Sequence, residues 1–337
     1  TLGDPSPPAV AWLRRAASVG RRSAQAQAAA PLRRVAWLAL AAAGVREAAM
    51  VGEAMADPDA QVRRLAVAAL PNVNDTAWRR RALQSAASDP EPMVRLEWVR
   101  AYRQLFGAED CGPLLATMAD PDPQVSLAAI DALGVGCPDR AAAVAALLTT
   151  VDAGPARPIP RRSGTWSWHG RAHALASLAR LDANVAAPLL RRDATHPVWQ
   201  VRMYVARAAA SVRDSALLSM LAFDSVGNVR EVALQGLSAT VGHVADLLYL
   251  RALASRDYHV VLAAARALKG TPVADSVVPG VMAAFERISA ERRETSRDPR
   301  LELLARLEEL ADGRLSGRLA PFLRDIDPLI ASRTAVL

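Results

Sequence analysis

A short pattern recurs along this chain: Asp-Pro, three residues, Val-Arg, and then a stretch of Ala and Leu. It stands at Asp57-Pro58 with Val62-Arg63, at Asp89-Pro90 with Val94-Arg95, and at Asp120-Pro121 with Val125-Ser126. Degenerate copies follow at His196-Pro197 with Val201-Arg202, at Asp224 with Val229-Arg230, and at Asp257 with Val260-Val261. The Val positions are spaced by 32, 31, 76, 28 and 31 residues, and the long gap holds one further copy around Gly170-Arg171. Self-similarity at this period means stacked supersecondary units rather than one globular core. A chain of 337 residues would otherwise read as two or three domains, since single cores stop growing at roughly 250–300 residues.

Each unit reads as helix, turn, helix. Asp or Ser caps the second helix, and Pro occupies its first turn, where a missing N–H costs nothing. Counting from each Val as zero, offsets 4, 7 and 8 are apolar: Ala66, Ala69 and Leu70; Ala129, Ala132 and Leu133; Ala264, Ala267 and Leu268. At 100° per residue these offsets share the Val's face, which is therefore the buried one. First helices fill the gaps at 46–56, 75–88, 109–118, 139–151, 182–192, 214–222 and 242–255. The predicted fold class is all-α, an α-α superhelix of about ten helical hairpins. Residues 1–150 and 169–337 form its two parts, separated by a Pro/Arg/Trp-rich insertion at 151–168.

Composition agrees with close-packed helices: 52% of residues are hydrophobic but only 4% aromatic, so the apolar content is mainly Ala, Leu and Val. The net charge is +7, and Lys269 is the only Lys. We read the arginine excess as codon bias in a GC-rich genome before selection for phosphate, so the basic balance argues only weakly for nucleic acid. Cys111 and Cys137 each open the first helix of successive repeats. Equivalent positions in stacked helices lie about 10 Å apart, beyond the roughly 7 Å reach of a disulfide, which predicts free thiols. No run of 18 uncharged apolar residues is present, so no membrane span is predicted. Thr1 stands in place of Met, and an upstream segment is expected to have been removed. Whether the protein is cytoplasmic or exported stays open, as does its oligomeric state.

Offsets 6 and 9 point away from the buried face. They carry Arg100 and Arg103, Asp131, Arg207, Gln235 and Ser238, and then Arg266 and Lys269. Second helices commonly line the concave side of such arrays, so this column is the candidate partner-binding surface. The insertion interrupts the period with three prolines and with Arg157, Arg161 and Arg162, followed by Trp166 and Trp168. Loops on a repeat array carry function disproportionately, and Trp and Arg anchor interfaces, so Arg161, Arg162, Trp166 and Trp168 join the candidate surface. The competing reading is that the two Trp side chains fold back and seal the groove between repeats. Trp78, Trp98 and Trp199 sit at core-compatible spacing and are assigned to packing. Arg79-Arg80-Arg81 and Arg191-Arg192 are assigned to solvated faces.

Asp-Pro-x-x-x-Val-Arg followed by an Ala/Leu helix at about 31 residues resembles HEAT repeats, specifically the short kind of phycobilisome-lyase-like proteins, over roughly residues 40–337. That resemblance implies that turn aspartates and Val-Arg arginines form a ladder between neighbouring repeats, with Asp57, Asp89 and Asp224 placed to meet Arg63, Arg95, Arg202 and Arg230. A narrower resemblance rests on 196–204 and 291–300. These stretches are similar to bacterial proteins in which a HEAT array precedes a cyclophilin-type peptidyl-prolyl isomerase domain. It implies that this chain is the non-catalytic array, since it offers no strand-like segment for the isomerase barrel.

No chemistry rivals that reading. His169 and His173 have the i, i+4 spacing of a zinc helix, but Gly170 stands where a His-Glu-x-x-His motif has its base, and no acid or Cys completes a site. There is no Gly-rich phosphate loop, no Gly-x-Ser-x-Gly elbow and no catalytic triad, so no cofactor, metal or catalytic residue is predicted. The expected function is a non-catalytic scaffold that binds a protein or peptide on a curved surface. The alternatives are a substrate-presenting region of a peptidyl-prolyl isomerase, and a nucleic-acid-binding array resembling HEAT-fold alkylpurine DNA glycosylases.

Overall fold

The computed structural model describes residues 7–21, 27–152, 168–310 and 315–336. Every regular element among them is helical. The chain divides into two compact units, Thr1–Ala156 and Arg157–Leu337. The first holds α1 (Pro7–Ala16), α2 (Ala30–Ala42), α3 (Ala48–Met55), α4 (Ala60–Ala69), α5 (Thr76–Ala86), α6 (Pro92–Phe106), α7 (Gly112–Thr117), α8 (Pro123–Leu133) and α9 (Arg140–Asp152). The second holds α10 (His169–Leu181), α11 (Ala183–Asp193), α12 (Trp199–Ser211), α13 (Ser215–Leu221), α14 (Gly227–Val241), α15 (Asp246–Ala252), α16 (Tyr258–Ala267), α17 (Ala274–Ala290), α18 (Arg297–Leu310), α19 (Ser316–Leu319) and α20 (Pro328–Thr334).

Within each unit the even-numbered helices are the second helices, and they pack side by side in a row. The repeat pattern explains why. The zero-position residues Val62, Val94, Val125, Val201, Val229 and Val260 are all buried, as are the Ala and Leu at offsets 4, 7 and 8. Each buried Val contributes about 1.5–3 kcal/mol. Small side chains set the spacing between helices. At Gly236 on α14, an added Cβ would stand 2.8 Å from a Leu218 methyl and 3.0 Å from the Ala210 Cβ, so α14 lies close against α12 and α13 and a larger residue would make them shift.

The turn chemistry differs from the expectation in one respect. The Asp of Asp-Pro does not cap the second helix, and its Pro lies in the turn before it. Capping falls to the residue two places on: Asp59 accepts from the Val62 N–H at 3.1 Å, and Asp122 from the Gln124 N–H at 2.9 Å. The Asp-Pro aspartate instead closes a small turn on itself. Asp57, Asp89, Asp120 and Asp224 accept the N–H two residues later at 2.8, 2.9, 2.8 and 2.8 Å. That aims the second carboxylate oxygen outward, at the preceding repeat.

There it meets an arginine. Arg95 donates from Nε and Nη2 to Asp120 at 2.8 and 2.9 Å, while its Nη1 donates to the Asp89 carbonyl at 2.8 Å. Arg63 joins Asp89 and the Asp57 carbonyl in the same way, and Arg33 reaches Asp57 in full burial. In the second unit Arg202 pairs with Asp224 at 2.6 and 2.8 Å and with the His196 carbonyl at 2.7 Å. Where His196 replaces the turn Asp, its Nδ1 accepts the Val198 N–H at 3.1 Å, and Arg171 turns to Asp193 at 2.7 and 2.8 Å. Burial, helped by the Arg171 charge, lowers the His196 pKa below its ordinary value and favours the neutral ring that this bond requires.

The two cysteines correct the expectation of free thiols. Cys111 and Cys137 form a disulfide, with Cα atoms 5.4 Å apart. Neither residue lies within a helix, so the spacing of stacked helix bodies does not set their separation. Cys111 is the residue before α7, Cys137 lies in the turn before α9, and turns of neighbouring repeats converge where helix bodies cannot. The solvated-face assignment of Arg79-Arg80-Arg81 is likewise too simple. Arg80 lies 4.2 Å over the Phe106 ring and pairs with Glu109 at 2.7 Å. Trp98 is buried, whereas Trp78 and Trp199 are half-buried.

Two outcomes follow for stability. Burial opposes ionisation of Asp120, but the Arg95 guanidinium and the Asp122 N–H outweigh it, so its carboxyl is held below the usual range, as are those of Asp89 and Asp224. These groups stabilise the fold fully above the unfolded carboxylate pKa of about 4, and that contribution disappears as pH falls through their lower folded values. Asp120→Asn should therefore cost about 1.5–3 kcal/mol at neutral pH and flatten the acid limb of a pH–melting profile. Cleaving the disulfide, which closes a loop of 26 residues, should lower stability by about 3–4 kcal/mol. Comparing the Cys137→Ser variant with oxidised wild type in denaturant melts measures this, and thiol titration of the native chain should find no free Sγ.

Candidate functional site

Most of the predicted column falls on exposed positions of the second helices, while Asp131 and Ser238 are half-buried. In the first unit, Arg100 and Arg103 stand exposed on α6. Arg100 reaches Glu97 at 3.3 Å, and Glu97 also takes Arg64 of α4 at the same distance, so one carboxylate joins two neighbouring helices. In the second unit, Arg207 is exposed on α12, Gln235 on α14, and Arg266 and Lys269 lie at and just beyond the end of α16. Gln235 donates to Glu231 at 3.1 Å, and Arg266 approaches Glu302 of α18 at 3.5 Å. Arg161, Arg162 and Trp166 lie outside the described residues.

The densest chemistry on this row is aromatic. Tyr204 of α12 and His173 of α10 share a hydrogen bond, Oη to Nε2 at 3.0 Å. The Arg207 guanidinium lies 5.0 Å over the Tyr204 ring. Trp168, immediately before α10, stacks on His169 at 3.8 Å and meets Tyr204 at 5.9 Å. All four rings are half-buried, while Arg207 is exposed. The arrangement offers aromatic faces, one cation and a Tyr–His hydrogen bond on a rigid helical base, a combination suited to anchoring a partner side chain.

The structure thus brings Trp168 and Arg207 together through Tyr204. Arg266 and Lys269 belong to the same unit but to a helix further along the row, and Arg100 and Arg103 belong to the other unit. Sequence reasoning missed Tyr204 and Glu97, and weighed His173 only as a metal ligand. All three occupy offset 3, which lies about 60° round the helix from offset 6. Widening the outward column by that step would have found them. Among the described residues no group of three His, Cys, Asp or Glu side chains gathers as a metal site. No helix among them is long and apolar enough to cross a membrane.

Residues 47–134 match the family model for HEAT repeats. No curated protein matches the sequence. Among solved structures, the chain is similar to yeast importin-beta, Kap95p, with a TM-score of 0.60 at 12% identity, over 95% of this chain and 48% of that one. It is similar also to Kap95p in a structure describing its effect on the switch loops of RanGDP, with a TM-score of 0.59 at 11% identity over 98% of this chain and 51% of the other. The chain therefore spans about half the length of these relatives in fold. A looser likeness, with a TM-score of 0.45 at 21% identity over 79% of this chain and 95% of that chain, is to the complex of CpcE and CpcF of phycocyanin lyase from Nostoc sp. PCC7120. Buried Val positions, outward-aimed turn aspartates and the arginine between them mark the repeated unit, and residues 47–134 carry the HEAT-repeat family pattern.

Proposed function

We propose that this chain is a non-catalytic protein-binding scaffold, and that a partner protein or peptide docks on the second-helix row of unit 157–337 around Trp168, His173, Tyr204 and Arg207. The observation that carries the reading is the aromatic cluster capped by an exposed guanidinium. Arg207 at 5.0 Å over Tyr204 presents a cation and a ring edge together, and aromatic residues with Arg dominate the energetics of protein interfaces. A rigid base lowers the ordering cost of binding, because His173 fixes the Tyr204 hydroxyl before the partner arrives. The structurally similar karyopherins include Kap121p bound to Nup53p, which supports protein binding as a use of this fold. The exposed Arg266 of the same unit, held toward Glu302 at 3.5 Å, is a further contact in this proposal.

Photo-crosslinking from position 207 in source cells would identify the partner, whose affinity is then measured with purified proteins. Tyr204→Ala, Arg207→Glu and Trp168→Ala should each weaken binding by about tenfold or more while the helical circular dichroism spectrum stays unchanged. Undiminished affinity in all three variants overturns this surface. Tight, steeply salt-dependent binding of duplex DNA by the wild type would favour the nucleic-acid reading instead.

A further inference from the structure

One rung of the arginine ladder differs from the others. Asp89, Asp120 and Asp224 are each gripped by two guanidinium nitrogens and keep only 10%, 8% and 7% of their side-chain exposure. Asp257 keeps 42%, and Arg230 holds it by Nη2 alone. Beside this loosened rung lies an open groove of about 820 Å³. Buried Val260 and half-buried Leu248 and Ala252 line it, and Phe223, Arg251 and Arg256 stand at its rim.

Phe223 is out of pattern. It occupies the place just before the turn aspartate, where other repeats carry Ala56, Ser88, Ala119 and, in the next unit along, Arg256. Small or polar side chains suit that place because it faces water. Phe223 is instead 58% exposed, and the Arg251 guanidinium stands 5.6 Å from its ring. Neither Arg251 nor Arg256 has a carboxylate partner among the described residues, whereas most ladder and row arginines do. The loop that carries Arg256 is fixed: Arg287 of α17 donates to the Leu253 and Ser255 carbonyls at 2.8 and 3.0 Å. The groove is therefore preformed and apolar at its base, and its rim carries the two guanidinium groups of Arg251 and Arg256 beside a single carboxylate, Asp257, which Arg230 already pairs.

We propose that this groove is a second docking site, on the turn edge of the repeats, for a peptide segment in which a large apolar side chain neighbours one or more carboxylates. The apolar side chain lies against Phe223 and Leu248, and the carboxylates pair with Arg251 and Arg256. The geometry suits Arg in particular, since its planar fork grips a carboxylate in two places and leaves its face free for the ring. This surface is independent of the Tyr204 cluster, so each can fail without the other.

A fluorescein-labelled short peptide alternating Asp and Glu with Phe and Leu, read by anisotropy against the full chain, tests the assignment. Saturable binding is expected, weakened about tenfold or more by Phe223→Ala and by the Arg251→Glu/Arg256→Glu double variant, and unchanged by Arg207→Glu. The matched Asn/Gln peptide should bind at least about tenfold more weakly, because the neutral amides forfeit the charge-assisted bonds. No saturable binding overturns the proposal. So does equal binding by the Phe223→Ala variant, or equal binding of a purely acidic Asp/Glu peptide or of a single-stranded oligonucleotide, since either would mean an unspecific anion surface.

Discussion

The guanidinium between consecutive turns is the contact on which the repeats depend. One arginine binds a carbonyl of its own turn through Nη1 and the carboxylate of the next turn through Nε and Nη2. It thereby sets both the distance and the orientation between neighbours. Lysine could supply the charge but not the fork. A hydrophobic face alone is non-directional, and small-residue helices could slide along one another at little cost. The ladder supplies the missing direction, while the buried Val, Ala and Leu supply most of the free energy.

The same rule explains what the outward faces are free to do. Because buried offsets and turn positions carry the stack, offsets 6 and 9 can vary without harming it, and that is where Arg207 and Arg100 stand; offset 3 lies at the border, buried at Leu65 and Ala263 but half-buried at Tyr204. Likewise the place before the turn aspartate tolerates Ala, Ser, Arg or Phe. Departures from the repeat at such positions are informative because packing does not demand them. Phe223 and the half-open rung at Asp257 depart together, in one groove.

Much of this was legible beforehand. The period, the second helices, their buried offsets and the outward column all follow from the recurrence of one motif, since a face repeated in register must meet its neighbour's face. The ladder role of the Asp-Pro aspartates was legible through the family resemblance, but the capping role also given to them was not theirs. Capping and ladder binding need different carboxylate directions, and the choice between Asp57 and Asp59 depends on backbone angles in the turn. The cysteines misled for a related reason: spacing along the chain placed them in successive repeats, but their approach to 5.4 Å is a property of converging turns.

What the sequence by itself determined is therefore the one-dimensional part: the hairpin, its period, its buried and exposed faces, and the arginine that follows most of the core Val residues. These are local or nearest-neighbour properties, and a solenoid is built from nothing else. Only the tertiary structure decided which exposed residues become neighbours. Tyr204 meets His173 across 31 positions, and Phe223 meets Arg251 across a turn of the stack. Such contacts depend on how far adjacent helices rotate and how closely they approach, and Gly236 and the ladder rungs settle both through packing that no single repeat encodes.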